Sequence, residues 1–467
     1  MQFRRLPLLL TLLCSLLVAA HAQSVPVLML SDIHLDPFRD PAKFAALSTS
    51  PATAWPKILN APDSVTQAAD FEKLTTTCPS RGLDTDWPLL EASLKASHQQ
   101  IPHPAFITVS GDLMAHVFDC RYRALGGKPE LYPAFAAKTV AVVAAELKRT
   151  FPKTPIYVAL GNNDSGCGDY REDAGSKFLV ANSTTLADLT RSNKRKIATE
   201  SSRLGDWSVT LPEPFQNARL LVLQDMFELK NGVGCDGKRD FHAEEEQISW
   251  LREQLESVQK HHQQAWVMAH VPPGVDSYAT LSHGIDVCSG KPPIMFTAND
   301  ELAKTLVEYA DVVRLALFAH THMDEMHVIG HGDHTVAIRM VPSISPVNGN
   351  HPAFTVSEVD PKSFTLRDWT VYVAPNKNGT GVWSEEYRFS QTYHEPAFDA
   401  VSARKLLDGF RADKGSEAAS TQAYEHNFFA GDSGKFALVM RFGWPMYSCA
   451  ANATTADEYK SCVCPAK

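Results

Sequence analysis

Beyond its first 22 residues the chain has no run apolar enough to cross a bilayer, no internal repeat and no low-complexity tract. Helical membrane spans, solenoids and disordered tails are thereby excluded. It also lacks a basic excess, since 44 Lys and Arg face 53 Asp and Glu for a formal net charge of −9. Coating of nucleic acid needs the opposite balance, so no nucleic-acid partner is expected. What remains is ordinary globular composition, with 44% hydrophobic and 21% charged residues over 467 positions. That is enough apolar material for a sizeable core.

The N-terminus carries Arg4 and Arg5, an apolar stretch from Leu6 to Ala20, and Ala20-His21-Ala22 before Gln23. A basic start, a short apolar core and a small-residue end make a secretory leader over residues 1–22, with the mature chain starting at Gln23 in a secreted or periplasmic setting. Without Cys14, eight cysteines remain: Cys78, Cys120, Cys167, Cys235, Cys288, Cys449, Cys462 and Cys464. An even count in an exported chain predicts four disulfides, with 105 pairings open. Cys462-x-Cys464 has no second pair nearby to make a zinc ribbon and reads as two disulfide partners in the tail. Asn182-Ser-Thr, Asn378-Gly-Thr and Asn452-Ala-Thr match the glycosylation acceptor pattern.

Short β-rich apolar runs recur, each followed at once by polar residues able to bind a metal. Residues 25–30 lead into Asp32-x-His34, 105–109 into Gly111-Asp112, and 156–160 into Gly161-Asn162-Asn163-Asp164. Residues 265–269 lead into His270, and 313–319 into His320-x-His322. Helical patterns at 87–99, 134–149, 243–260 and 299–310 alternate with these strands, which predicts an α/β layered fold whose strand-end loops form one site. The stretches 36–86 and 272–293 read as pocket rim rather than core. From about residue 395 the chain turns helical, so a soft boundary divides a catalytic domain at 23–394 from a helical, cysteine-containing region at 395–467.

Asp32-x-His34 at i and i+2 would present both side chains to one side of an extended strand end. Taken with Asp112, Asn162, His270, His320 and His322, this makes seven oxygen and nitrogen ligands from five strand ends. The mixture suits zinc, with manganese or iron as alternatives, better than calcium or magnesium. The number suits two divalent cations sharing a carboxylate. Two metals about 3.5 to 4 Å apart clamp the entering and leaving oxygens of phosphoryl transfer. The expected partner is a small-molecule phosphate ester.

In order and spacing these motifs resemble the calcineurin-like metallophosphoesterases. Ser31-Asp-Ile-His-Leu-Asp-Pro37, Ser110-Gly-Asp-Leu-Met-Ala-His116, Ala269-His-Val-Pro-Pro-Gly274, His320-Thr-His-Met-Asp-Glu325 and residues 342–354 resemble the acid sphingomyelinase group within them. The resemblance implies a four-layer fold of two facing β-sheets flanked by helices. It implies one metal on Asp32, His34, Asp112 and His322, a second on Asp112, Asn162, His270 and His320, and attack by a metal-bridging hydroxide. Where most members follow the metal-binding asparagine with a histidine, this chain has Asn163, and an amide cannot give up a proton near neutral pH.

His116, four residues after Asp112, becomes the candidate proton donor; as the bland alternative it is a loop histidine bonded to backbone. His283 is a weaker candidate substrate contact. His261 and His262 end a helix, where a cation is welcome, and His327, His331 and His334 are expected on a surface β-turn. The leading expectation is a secreted, monomeric, two-metal phosphodiesterase for soluble phosphodiesters or nucleotides, without stable membrane insertion and without a lipid-lifting domain ahead of Asp32. Asn163 also resembles the variant in endopolyphosphatases, whose phosphate leaving group needs less acid help, so a phosphoanhydride hydrolase is the alternative. A metal-retaining binding protein without turnover is the third.

Overall fold

The computed structural model describes residues 24–464 except 216 and 432–434, with no side chains considered for 435–439. The leader and Gln23 lie outside the described residues. Twelve strands form in chain order: β1 (Val25–Leu30), β2 (Ile107–Ser110), β3 (Ile156–Ala159), β4 (Trp207–Thr210), β5 (Ala218–Val222) and β6 (Gln264–Met268). Then follow β7 (Val313–Phe318), β8 (Glu325–His331), β9 (His334–Met340), β10 (Ala353–Val359), β11 (Leu366–Val373) and β12 (Ser384–Arg388).

These strands make two six-stranded mixed sheets, in the orders β12-β11-β10-β1-β2-β3 and β4-β5-β6-β7-β9-β8. In the first sheet the parallel strands β1-β2-β3 form one half and end at an edge, with antiparallel β10-β11-β12 beyond β1; in the second, parallel β5-β6-β7-β9 form the centre, with antiparallel β4 and β8 outside. Helices carry the chain between the parallel strands except from β7 to β9, which β8 joins, so the parallel strands are covered on both faces and almost every residue in them is buried.

Inner faces of the two sheets meet in one core. Val27, Met29, Phe106 and Tyr157 from the first sheet pack with Trp207, Leu220, Trp266 and Leu315 from the second. Trp266 is fully buried there, stacks on Phe364 at 4.4 Å between ring centroids and donates its indole N–H to the Phe364 carbonyl at 2.8 Å. On the outer faces, helices Trp87–Gln100, Tyr132–Thr150 and Lys177–Leu189 cover the first sheet. Helices Phe241–Lys260 and Glu301–Glu308 cover the second. The result is the expected four-layer arrangement of helices, two facing sheets and helices.

Several local expectations change. The 36–86 stretch is not merely rim: it folds into a turn and short helices whose Phe38, Phe44, Leu47, Trp55 and Phe71 belong to the core against the first sheet. Its scattered aromatics, not its Pro and Ala content, decided its fate. His331 and His334 do sit exposed at the β8–β9 turn, but His327 lies within β8 and is buried, because that turn is only two residues wide. Asn182 is buried in a helix, its amide donating to the Phe178 carbonyl at 3.0 Å, and so is closed to a glycan in the folded chain.

Four disulfides form: Cys78–Cys120, Cys167–Cys235, Cys288–Cys464 and Cys449–Cys462. Cys464 thus ties the tail to the 272–293 loop. The helix Ala400–Ala412 contributes Leu406, Leu407 and Phe410 to the core between the sheets. Among the described residues no helix is long and apolar enough to cross a membrane.

Truncating Trp266 to alanine deletes a large plug between the sheets and should cost about 3–5 kcal/mol of stability. Chemical denaturation of the purified variant against the parent chain measures it.

Candidate metal centre

The parallel strands of both sheets end at one edge. The residues just past β1, β2, β3, β6 and β7 therefore meet there, as ligand-bearing loops do at the carboxyl ends of open α/β sheets. Asp32, His34, Asp112, Asn162, His270, His320 and His322 all converge on this edge, all but His320 buried. Local geometry departs from the extended strand ends expected from sequence. Asp32, His34, Asp112, His320 and His322 all have positive φ, between 44° and 73°. Each is a non-glycine residue held in the left-handed region, a conformation that costs about 1 kcal/mol or more and concentrates at functional sites. Val117, beside His116, has φ of 49°, more strained still for a β-branched residue.

Backbone bonds between the two strand ends hold this strain. Asp32 N–H donates to the Gly111 carbonyl at 3.1 Å and His34 N–H to the Asp112 carbonyl at 2.9 Å. Asp164, absent from the sequence candidates, accepts from the amides of Leu113 at 2.9 Å, Met114 at 3.0 Å and Gly161 at 3.0 Å, and so fastens the β2 loop to the β3 loop. Burial beside Asp112 pushes the Asp164 carboxyl up to about 7 despite these donors.

Asp112 is the centre of the cluster. Its Oδ2 lies 3.0 Å from His270 Nε2 and 3.4 Å from His34 Nε2, so one oxygen stands between two imidazoles. Asn163 donates its backbone N–H to Oδ1 and its side-chain Nδ2 to Oδ2, both at 2.8 Å. Burial would raise the Asp112 carboxyl, but His270 and His34 outweigh it and hold the group well below the usual range. A carboxylate this close admits no side chain opposite. A Cβ on Gly161 would lie 2.2 Å from Asp112 Oδ1, and one on Gly111 would lie 2.6 Å from His270 Nδ1.

The histidines are oriented through their outer nitrogens. His34 Nδ1 bonds the Met114 carbonyl and His270 Nδ1 the Ser110 carbonyl, each at 2.7 Å, which leaves both Nε2 atoms aimed inward as lone-pair donors. His34 Nε2 is 3.1 Å from His322 Nε2, and His322 Nε2 is 3.5 Å from Asp32 Oδ1. His320 Nδ1 is 3.0 Å from Asn162 Oδ1. Asp32 Oδ1, His270 Nε2 and His322 Nδ1 are buried without any hydrogen-bond partner. Orphaned buried nitrogens and oxygens this close together are costly unless a cation satisfies them. Asp32, His34 and Asp112 form one group with ligand atoms in range of one ion, Asp112, His270 and His320 a second, and His34, His116 and His322 a third; Asp112 is common to the first two. This donor set fits two divalent cations bridged by a carboxylate.

A cavity of about 1190 Å³ opens over the cluster. His116, Asn163 and His283 line it, as do Tyr170, Tyr278, Phe296 and Tyr447. His116 stacks on His34 at 4.1 Å between centroids. Its Nδ1 lies 3.0 Å from Asp84 Oδ1, and its backbone N–H donates to Asp84 Oδ2 at 2.9 Å. Asp84, one of two aspartates at 84 and 86 in a stretch with no motif, carries no sequence signal. His283 is exposed at the end of a short helix, its Nδ1 on the Ala279 carbonyl at 2.8 Å. His327 also reaches the cavity wall, bonded to Glu325 at 2.9 Å.

Gly161→Ala should strip metal from the purified protein, since the methyl must displace the Asp112 carboxylate. Gly409→Ala, whose Cβ would meet nothing within 4 Å, should leave metal content unchanged. Elemental analysis of both variants checks this.

Comparison with known proteins agrees with the geometry. The chain is 24% identical over 400 residues to the acid sphingomyelinase-like phosphodiesterase 3b of Homo sapiens, covering 81% of this chain and 80% of that protein. It is 24% identical over 338 residues to the sphingomyelinase phosphodiesterase C of Dictyostelium discoideum, covering 68% and 70%. It is 24% identical over 313 residues to a cyclic GMP-AMP phosphodiesterase of Mus musculus, covering 64% and 66%. The family model for calcineurin-like phosphoesterases, enzymes with a dinuclear metal centre, matches residues 25–324, and with the two-group ligand cluster in place the chain belongs to that family.

Proposed function

We propose that this chain is a secreted two-metal phosphodiesterase acting on soluble phosphodiesters or nucleotides. The observation that carries the reading is the cluster of buried carboxylate, amide and imidazole groups, several of their atoms orphaned, next to a large cavity whose wall includes Asn162 and His320. Asp32, His34, Asp112 and His322 would hold one cation, and Asp112, Asn162, His270 and His320 the other, zinc in the first instance. Bound there, two divalent cations supply Lewis acidity to a phosphoryl oxygen and acidify a water for attack. Four disulfides support an oxidising, exported setting.

The remaining work falls to the chain's own side chains. His116 is placed to hand a proton to the departing oxygen. Asp84 engages its Nδ1 and backbone N–H together, which fixes the ring and leaves Nε2 for the cavity. Asn163 spends both of its donors on Asp112, so it steadies the shared carboxylate and transfers no proton. His283 stands on the rim as a contact for the outer part of a substrate.

The cavity wall favours organic diesters over polyphosphate. Its cationic residues are Arg39, Arg81 and Lys377, outnumbered by Asp84, Asp86, Asp169, Asp276 and Glu325, and aromatic rings fill much of the rest. A polyanion needs the opposite charge balance, whereas rings and acids suit a base, a head group or another organic substituent. The names of the relatives, phosphodiesterases of sphingomyelinase-like and cyclic-dinucleotide type, point the same way.

Metal content and initial rates on bis(p-nitrophenyl) phosphate, p-nitrophenyl phosphate, ATP and polyphosphate test the reading, using protein beginning at Gln23. Two metals per chain and a preference for the diester are expected. Faster cleavage of polyphosphate or ATP would move the chain to the anhydride-cleaving alternative, and full metal loading without turnover would make it a binding protein. Asp112→Ala should lose both metals and nearly all activity. His116→Ala should lose about 100-fold on alkyl-leaving diesters and under about tenfold on nitrophenyl diesters, which need little protonation. Equal losses on both would remove His116 from the role.

A further inference from the structure

The outer partners of the ligands are not all of one kind. His34 and His270 are fixed by backbone carbonyls at the strand ends, which belong to the rigid core of the sandwich. Asn162 and His320 are fixed by two adjacent side chains of one loop, Asp169 and Tyr170. Asn162 donates its Nδ2 to Asp169 Oδ1 at 2.7 Å, so its Oδ1 is the end that turns toward His320 Nδ1. An amide presents either end equally well to a neighbour, and only such a partner decides which end faces a cation. Tyr170 Oη lies 3.2 Å from His320 Nε2; with a cation at Nδ1 and Asn162 Oδ1, the Nε2 proton would go to this phenol oxygen, which would hold the tautomer that leaves Nδ1 as the lone-pair donor. His320 is thus turned the opposite way round from His34 and His270, and its tautomer depends on one phenol.

The loop is itself held firmly. Tyr170 N–H donates to the Asn162 carbonyl at 3.1 Å, and Val233 N–H donates to the Tyr170 carbonyl at 3.1 Å. Glu172 N–H donates to the Val233 carbonyl at 3.0 Å, and Cys167–Cys235 ties the same two segments covalently. Tyr170 adopts a φ of 55°, a strained conformation that needs such support. Its ring packs with Met226, Leu229 and Val271.

We propose that the loop 165–171, tethered through Cys167–Cys235, is the positioning device for one half of the metal centre: Asp169 selects the amide end of Asn162, and Tyr170 selects the tautomer of His320. Both act through the ligands and neither need touch the metal or the substrate. The proposal rests on the two-metal reading above, and it makes the two sites unequal. The site using Asn162 and His320 can be weakened through the loop while the site using Asp32, His34 and His322 stays intact.

The test is titration of the metal-free full-length protein with zinc alone, in competition with a chromophoric chelator, which resolves number and affinity of sites without reference to activity. The parent chain should show two sites; fewer would overturn the two-metal reading itself. Tyr170→Phe deletes a single oxygen and keeps the ring in its packing, so the fold is retained. It should weaken one site by about 10- to 100-fold and leave the other within about twofold. Asp169→Ala should do the same, and Asp169→Asn, whose amide oxygen can still accept from Asn162, should restore most of the lost affinity. Two unchanged sites in both Tyr170→Phe and Asp169→Ala, or equal weakening of both sites, would overturn the proposal. Replacing Cys167 and Cys235 together by serine should weaken the same single site, and an unchanged pair of sites in that double variant would overturn the tether.

Discussion

The Asp112 carboxylate is the constraint on which the rest of the centre depends. One of its oxygens stands between His34 and His270, which come from different sheets, and Asn163 grips both oxygens from a third strand end. A single carboxylate can serve two groups only if both sheets are held in register at that edge. Many features far from the site serve that end, among them Trp266 stacked on Phe364 between the sheets. Gly111 and Gly161 have no side chain for the same reason: any Cβ there would fall on the ligands.

Strain is concentrated where the ligands are. Five of the seven sit at positive φ, and each would relax if its loop were free. The sandwich prevents this by pairing the loops with one another, β1 end to β2 end through backbone bonds, and β2 end to β3 end through Asp164. A ligand set preorganised in this way does not have to be gathered by the metal, and the orphaned atoms it leaves are satisfied only when cations arrive.

Above the metals the design is looser. The cavity wall is assembled from loops and short helices pinned by disulfides, including the 272–293 loop tied through Cys288 to Cys464 near the end of the chain. Its lining is rich in aromatic rings and carboxylates. The position after Asn162 carries an amide engaged with Asp112, and the proposed proton donor is instead His116, held by Asp84.

Sequence by itself determined which polar residues gather at the strand ends and the α/β layering of the chain. Short apolar runs ending in Asp, Asn or His are legible because a buried strand must be apolar and a metal ligand cannot be, so the boundary between them marks the site. The helix and strand periods gave an α/β layered fold, since burial on one face or two leaves its own spacing, and the family resemblance implied the four layers. Only the tertiary structure decided what depends on neighbours distant in the chain. Asp84 found His116 across 32 residues, Tyr170 found His320 across 150, and His327 turned inward from a hairpin that read as surface. The left-handed backbone at the ligands was equally hidden, because it follows from loops pulling on one another rather than from any residue's own preference. Hydrogen-bond partners that fix an imidazole or an amide leave no periodic trace, and they become visible only when the chain has brought them within 3 Å or so of each other.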